Sequence, residues 1–228
     1  MKTVRIGVLG GIGPEATGCF YTQLITRLQE EGLIENNLDF PQIVINSIPA
    51  PELVFDKIGG EDMRPYLQGL KELDAMGLDF IVMVCNTVHL YYDTLQSEIG
   101  TRIIDLRFEV RRKLKELNVR EVTVVGTPST ISQGLYEFPG ITYHNPGEKE
   151  AKILGEAVFN FNKGVDKRAQ ANNALRIIDK YFRDGAKLAI LACTEFAVMC
   201  ADQEIPSIDT IEVLVDVVIR EFKMLKKH

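Results

Sequence analysis

Two cysteines stand where chemistry is easiest to place: Cys85 in Phe80-Ile-Val-Met-Val-Cys85-Asn86-Thr87 and Cys193 in Leu188-Ala-Ile-Leu-Ala-Cys193-Thr194-Glu195. Each ends an apolar run and is followed by short polar residues. Each also lies eight residues after a glycine, Gly77 or Gly185, so the two halves of the chain repeat one design. A continuous apolar run of this length reads as a buried parallel strand, and its polar end as the carboxyl edge of a sheet, where α/β proteins hold ligands. Two thiols facing each other across a cleft are an acid and a base. That chemistry inverts a carbon centre, removing a proton from one face and returning one to the other. A free thiol ionises near about 8.5, and a helix amino terminus beside it is expected to lower that value toward neutrality.

The elements that must position these thiols follow from the pattern around them. Val4 to Leu9 reads as a strand, followed by Gly10-Gly-Ile-Gly13 and by Pro14, which suits the first position of a helix whose core face carries Phe20, Leu24 and Leu28. A second strand runs from Gln42 to Asn46, then a loop with Pro49 and Pro51, a helix over 65–76 and the Cys85 strand. Ile103 and Ile104 suggest a short fourth strand, ahead of a helix over 109–117. From Glu121 the order restarts with a strand over 122–125, the turn Gly126-Thr127, helices over 148–162 and 171–182, and the Cys193 strand. Ser207-Ile-Asp209 mirrors Ile104-Asp105, and a closing helix over 213–225 is placed to pack back on the first half. Strands alternating with helices imply right-handed βαβ units. The expected architecture is therefore α/β, two similar doubly wound parallel-sheet lobes, with a small-ligand site in the cleft between them. The lobes are expected to comprise residues 1–117 plus 207–228 and residues 118–206.

Composition narrows the function classes. The net charge of −6 and the absence of any run of basic residues argue against a nucleic-acid partner. Apolar segments are far shorter than the ~18 residues that span a bilayer, and the start moves straight into a strand, so a cytoplasmic protein without a membrane partner is expected. Four cysteines (Cys19, Cys85, Cys193, Cys200) in such a chain read as free thiols, with Cys19 and Cys200 packing inside helices. No Cys-x-x-Cys occurs and His89, His144 and His228 are scattered, so no metal is expected. His89, four residues after Cys85, falls on the same helical side.

Asn86, Thr87, Thr127 and Thr194 are short hydrogen-bonding groups just beyond strands, suited to a carboxylate or to helix capping. Gly11-x-Gly13-x-x-Ala16 after a strand also meets a dinucleotide fingerprint, but the second strand ends in Asn46-Ser47 without the acidic residue a ribose needs. The glycines, Gly11 among them, are instead read as letting backbone approach a small ligand.

These residues resemble the aspartate/glutamate racemase family, the cofactor-independent group that includes hydantoin racemases. The matching stretches are Ile6-Gly-Val-Leu-Gly-Gly-Ile-Gly-Pro14, Gly60-Glu-Asp-x-Arg64-Pro, Cys85-Asn-Thr-x-His89, Gly126-Thr127, and Gly185-Ala with Ala192-Cys-Thr-Glu195, in order along nearly the whole chain. The resemblance implies two α/β lobes with pseudo-twofold symmetry, a homodimer, no pyridoxal phosphate or other cofactor, and an amino-acid substrate. It implies Cys85 and Cys193 as the acid/base pair, with Asn86, Thr87, Thr127 and Thr194 at the substrate carboxylate and Gly11 and Glu195 in the same site. Aspartate or glutamate is the expected substrate. Yet Leu53 stands where the family's arginine for a side-chain carboxylate is expected, and Asn162 stands at its lysine position, with Lys163 adjacent as the remaining cation. A non-acidic amino acid, or a non-catalytic amino-acid-binding relative of the same fold, is the alternative.

Overall fold

The computed structural model describes residues 3–53 and 61–227. Gly60, quoted above within Gly60-Glu-Asp-x-Arg64-Pro, and His228 lie outside the described residues. In the first half, β1 (Arg5–Gly10), α1 (Pro14–Glu30), β2 (Gln42–Ser47), α2 (Arg64–Asp74), β3 (Phe80–Met83), α3 (Tyr92–Ser97) and α4 (Leu106–Leu117) follow in order. The second half adds β4 (Glu121–Gly126), α5 (Pro128–Ser132), β5 (Thr142–Tyr143), α6 (Glu148–Asn162), α7 (Lys167–Arg183), β6 (Leu188–Ala192), α8 (Thr194–Met199), β7 (Ser207–Asp209) and α9 (Thr210–Lys226). All strand pairs are parallel, in a sheet ordered β2-β1-β3 and a second ordered β5-β4-β6-β7. This is the two-lobed α/β fold expected from the alternation of strands and helices.

The register aligns the carboxyl ends. Gly10 pairs with Ser47 and Leu9 with Met83 in one sheet, and Gly126 pairs with Ala192 in the other. The segments that leave those ends therefore carry Gly11 to Gly13, Cys85, Thr127 and Cys193 at sheet edges. Gly77 and Gly185, each beyond the helix that precedes a cysteine strand, have φ of 63° and 119°, so both turns rely on a conformation that disfavours any side chain.

Three apolar cores hold the lobes. A shared layer joins Ile6, Val8, Val82 and Val84 of the first sheet to Val122, Val124 and Ile190 of the second through α1, α4 and α9, with Phe20 and Phe222 fully buried. Each such phenylalanine contributes about 1.5–3 kcal/mol by leaving water. On its other face, each sheet has a private core, one including Ile81, Met83 and Cys85 and the other Ala189, Leu191 and Cys193. Both cysteines thus continue the rows that point away from the shared layer, as the two-residue period of a strand requires.

Several local expectations change. Ile103 forms only an isolated bridge to Ile81, because the chain turns into α4 at once. Ser207–Asp209 pairs with β6 in the second sheet, so the return to the first half begins with α9 rather than at residue 207. That helix, capped by the Asp209 side chain, packs on α1 and α4, where Arg220 holds the buried Glu109 at 2.6 Å. Burial acts to raise the Glu109 carboxyl, but hydrogen bonds from Arg220 and Arg112 outweigh it and keep it below the usual carboxylate value.

Candidate active site

A cavity of about 220 Å³ opens where the two sheet edges meet, on the scale of a single amino acid rather than of the larger drug-sized sites. Cys85 and Cys193 both line it, together with Gly11, Thr87, Thr127 and Glu195. The sulfur atoms from the two halves thus face one pocket. Leu53 and Asn162, the residues at the two expected cation positions, line it as well.

Cys193 is the cap residue of α8, and its thiol donates to Glu195 Oε2 at 2.8 Å. Thr194 Oγ1 and Asn162 Nδ2 also donate to the Glu195 carboxylate, each at 3.3 Å. Glu195 is 4% exposed, and among the described residues these three neutral donors are its hydrogen-bond partners. A buried carboxylate whose partners among the described residues are neutral gains from a cation beside it. Gly13 is what makes room for it. A Cβ there would lie 2.0 Å from Glu195 Oε1, and the φ of 85° disfavours a side chain. We predict that Gly13→Ala costs about 1–2 kcal/mol of stability from backbone strain and lowers turnover at least about tenfold by displacing Glu195. A thermal melt and kcat/KM check both parts, and an unperturbed kcat/KM would contradict this role for Gly13.

Opposite, Thr87 Oγ1 lies 3.1 Å from Thr127 Oγ1 and 3.0 Å from Thr130 Oγ1, and the Thr127 and Thr130 hydroxyls are also 3.0 Å apart. Three hydroxyls own three protons, which this triangle consumes among itself. An entering carboxylate can draw the Thr87 and Thr127 protons toward itself without leaving a buried donor unpaired.

Other expected site residues play different parts. The Asn86 side chain donates to Thr210 Oγ1 at 2.9 Å and accepts from the Tyr136 hydroxyl, so it ties the halves together instead of lining the pocket. Thr194 reaches Glu195 rather than the cavity. Lys163 follows α6, and its ammonium lies 3.8 Å from the Phe159 ring centre, outside the lining. Gly11 lines the pocket, but its N–H donates to Thr17 Oγ1 at 3.0 Å. His89 is fully buried, with Nδ1 2.8 Å from the Cys85 carbonyl oxygen. It steadies the Cys85 backbone, and burial lowers its pKa, keeping it neutral. Glu52, in the proline-rich loop after β2, lines the pocket and is absent from the sequence reading. An acid in a loop leaving a sheet's carboxyl edge was the available signal.

The expected acidic thiols are not what the geometry gives. Burial pushes Cys85 up to about 12, against the hydrogen bonds from the Val88 and Thr87 backbone, with the Glu195 charge adding to the rise. Cys193 is raised well above its ordinary value by burial, by the charge and hydrogen bond of Glu195, and by Cys85. The turn after Cys85 is a five-residue 3-10 segment and α8 has six residues, so neither brings much dipole to set against desolvation. A cation placed in the pocket would oppose that rise and favour a thiolate.

Among the described residues, no three His, Cys, Asp or Glu side chains gather as a metal site. Nor is any helix among them long and apolar enough to cross a membrane.

A family model described as Asp/Glu/Hydantoin racemase matches residues 9–218, which include both cysteine motifs. The chain is 30% identical over 135 residues to the broad specificity amino-acid racemase RacX of Bacillus subtilis, an alignment covering 58% of each protein. It thus spans somewhat over half the length of that relative. Among solved structures it is similar to an aspartate racemase homologue from Pyrococcus horikoshii, at 26% identity and TM-score 0.74, covering 98% of this chain and 100% of that one. The fold is also that of Picrophilus torridus aspartate racemase, at 23% identity and TM-score 0.78, covering 96% and 94% of the two chains. Two lobes with a thiol from each in one small pocket, and a family match running through both, make this chain a member of the Asp/Glu/hydantoin racemase family.

Proposed function

We propose that the chain is a cofactor-independent amino-acid racemase that inverts Cα between Cys85 and Cys193. The observation that carries this reading is Glu195, a buried carboxylate with no cationic hydrogen-bond partner among the described residues, beside one of two thiols in a single pocket. The α-ammonium of an amino acid is the missing charge. Its carboxylate then meets the hydroxyls of Thr87 and Thr127.

In the first half-reaction one cysteine is a thiolate, stabilised by the adjacent ammonium. It takes the Cα proton, and the electron pair left on carbon spreads into the substrate carboxylate, which the threonine hydroxyls neutralise in part. The opposite thiol gives its proton to the other face of Cα and becomes the thiolate. The enzyme is left in the mirror protonation state, ready for the other enantiomer. General acid/base action supplies about 10²–10⁴ in rate, so the remainder must come from the preorganised charges and from exclusion of water.

The substrate side chain follows from the same lining. With Leu53 and Asn162 at the positions where the family resemblance leads one to expect cations, and Glu52 and Glu195 as the charged groups that line the cavity among the described residues, a side-chain carboxylate meets no cation there among those residues. This supports the alternative of a non-acidic amino acid over aspartate or glutamate. Incubating single amino acids with the protein in D₂O and following the Cα proton by NMR tests the reading. Loss of that signal with growth of the opposite enantiomer is expected for a racemase. A protein that binds without turnover exchanges nothing.

A further inference from the structure

We infer that the preferred substrate carries a cation at the end of its side chain, as in lysine or ornithine, and that Glu52 is the residue that selects it. This rests on the racemase reading and sharpens it. Among the described residues, the charged side chains that line the cavity are Glu52 and Glu195, both acidic. An amino acid brings one α-ammonium, and one carboxylate beside Cys193 is enough to receive it. Glu52 is then a second negative charge with no counterpart in a neutral substrate. It leaves the loop after β2, on the first lobe, whereas Glu195 belongs to the second. Two carboxylates on separate lobes suit a molecule with two cations, one at Cα and one at the end of an extended side chain. Pro51, Ala50 and Leu53 lie beside Glu52 in the lining and offer apolar surface for the methylene stem of that side chain.

The charges around Glu52 agree with this. Partial burial raises its pKa above the ordinary carboxylate value; Lys163 opposes that rise and Glu195 adds to it. A cation in the pocket would oppose the rise further. Lys163 is the cation that acts on Glu52 from outside the lining, above the Phe159 ring. It is also the group that would serve an acidic substrate if it swung inward, so the experiment must separate the two.

The test compares L-lysine and L-ornithine with L-norleucine, which matches the lysine stem without its charge, and with L-aspartate and L-glutamate. Chiral chromatography reads conversion by the wild-type protein and by Glu52→Gln and Lys163→Met. Wild type is expected to convert lysine or ornithine with kcat/KM about fivefold above norleucine and above both acidic amino acids, since Glu52 is exposed and a charge pair at an exposed carboxylate is worth about that factor at most. In Glu52→Gln the lysine-to-norleucine ratio should fall about fivefold, chiefly through KM, whereas Lys163→Met should leave lysine preferred. Faster turnover of aspartate or glutamate, abolished by Lys163→Met, would overturn the proposal while leaving the racemase reading intact. An unchanged lysine-to-norleucine ratio in Glu52→Gln would overturn it too. If no amino acid is converted, the racemase reading falls, and calorimetric titration with L-lysine and L-aspartate still decides the pocket's charge preference. Tighter aspartate binding would then sink the proposal.

Discussion

Cys85→Ser and Cys193→Ser should each lower racemisation by about 10³-fold or more in both directions while the protein stays folded. In the proposed mechanism each thiol serves one face of Cα, so losing either stops the cycle for both enantiomers. A serine hydroxyl is a far weaker acid than a thiol, and in a pocket that already pushes Cys85 to about 12 it would hold its proton throughout the accessible pH range. Loss of one positioned acid or base typically costs 10²–10⁴ in rate. The fold should tolerate the change because neither cysteine forms a disulfide, and a serine at 193 can donate to Glu195 as the thiol does. Circular dichroism and a thermal melt verify folding, and chiral chromatography measures turnover. If either single variant kept more than about a tenth of the wild-type rate, the two-thiol assignment would be lost.

Glu195→Gln should separate binding from thiol acidity. The carboxylate is proposed to receive the substrate's ammonium, and removing one partner of a buried charge pair costs about 2–5 kcal/mol, or roughly 30-fold to more than 10³-fold in kcat/KM. The same substitution should make Cys193 more reactive toward iodoacetamide. After burial, the Glu195 charge and hydrogen bond are the next causes holding that thiol in its protonated form. A raised thiol pKa means little thiolate near pH 7, with the fraction growing as pH rises. Taking the negative charge away shifts that growth to lower pH. Alkylation of Cys193, followed by mass spectrometry from pH 7 to 10, should therefore run ahead in Glu195→Gln at every pH, although turnover falls. Slower or unchanged alkylation would show that Glu195 does not control this thiol.

Where the sequence was informative, it was because the signal was local. The apolar runs into Cys85 and Cys193 named strands β3 and β6, and the two-residue period of those strands carried both thiols to equivalent places. Pro14 after Gly13 marked the start of α1. The reach of the Asn86 side chain was not local. Its partners Thr210 and Tyr136 lie 124 and 50 residues away, and only the packing of the halves decides that it points at them rather than at the pocket. Strand β5 has two residues, too short for any periodicity, and sits in a stretch punctuated by Pro139 and Pro146. The thiol pKa values illustrate a different limit. A helix terminus is visible in sequence, but the burial that outweighs it is a property of the assembled cleft. Glu52 escaped notice because an acid in a loop is ordinarily solvated, and its place in the lining depends on where the second lobe closes the cavity.

The central claim, that one thiol takes the Cα proton and another supplies its replacement, is tested most directly by early-time isotope placement. A pure enantiomer of a converted amino acid is incubated with the protein in D₂O, stopped below about a tenth of conversion and resolved on a chiral column. Because a thiol on the far face carries solvent deuterium, the product enantiomer should hold deuterium at Cα while the recovered starting enantiomer remains protiated. Deuterium appearing equally in both enantiomers, or protium retained in the product, would mean that a single group handles both faces, and the account of Cys85 and Cys193 would fail.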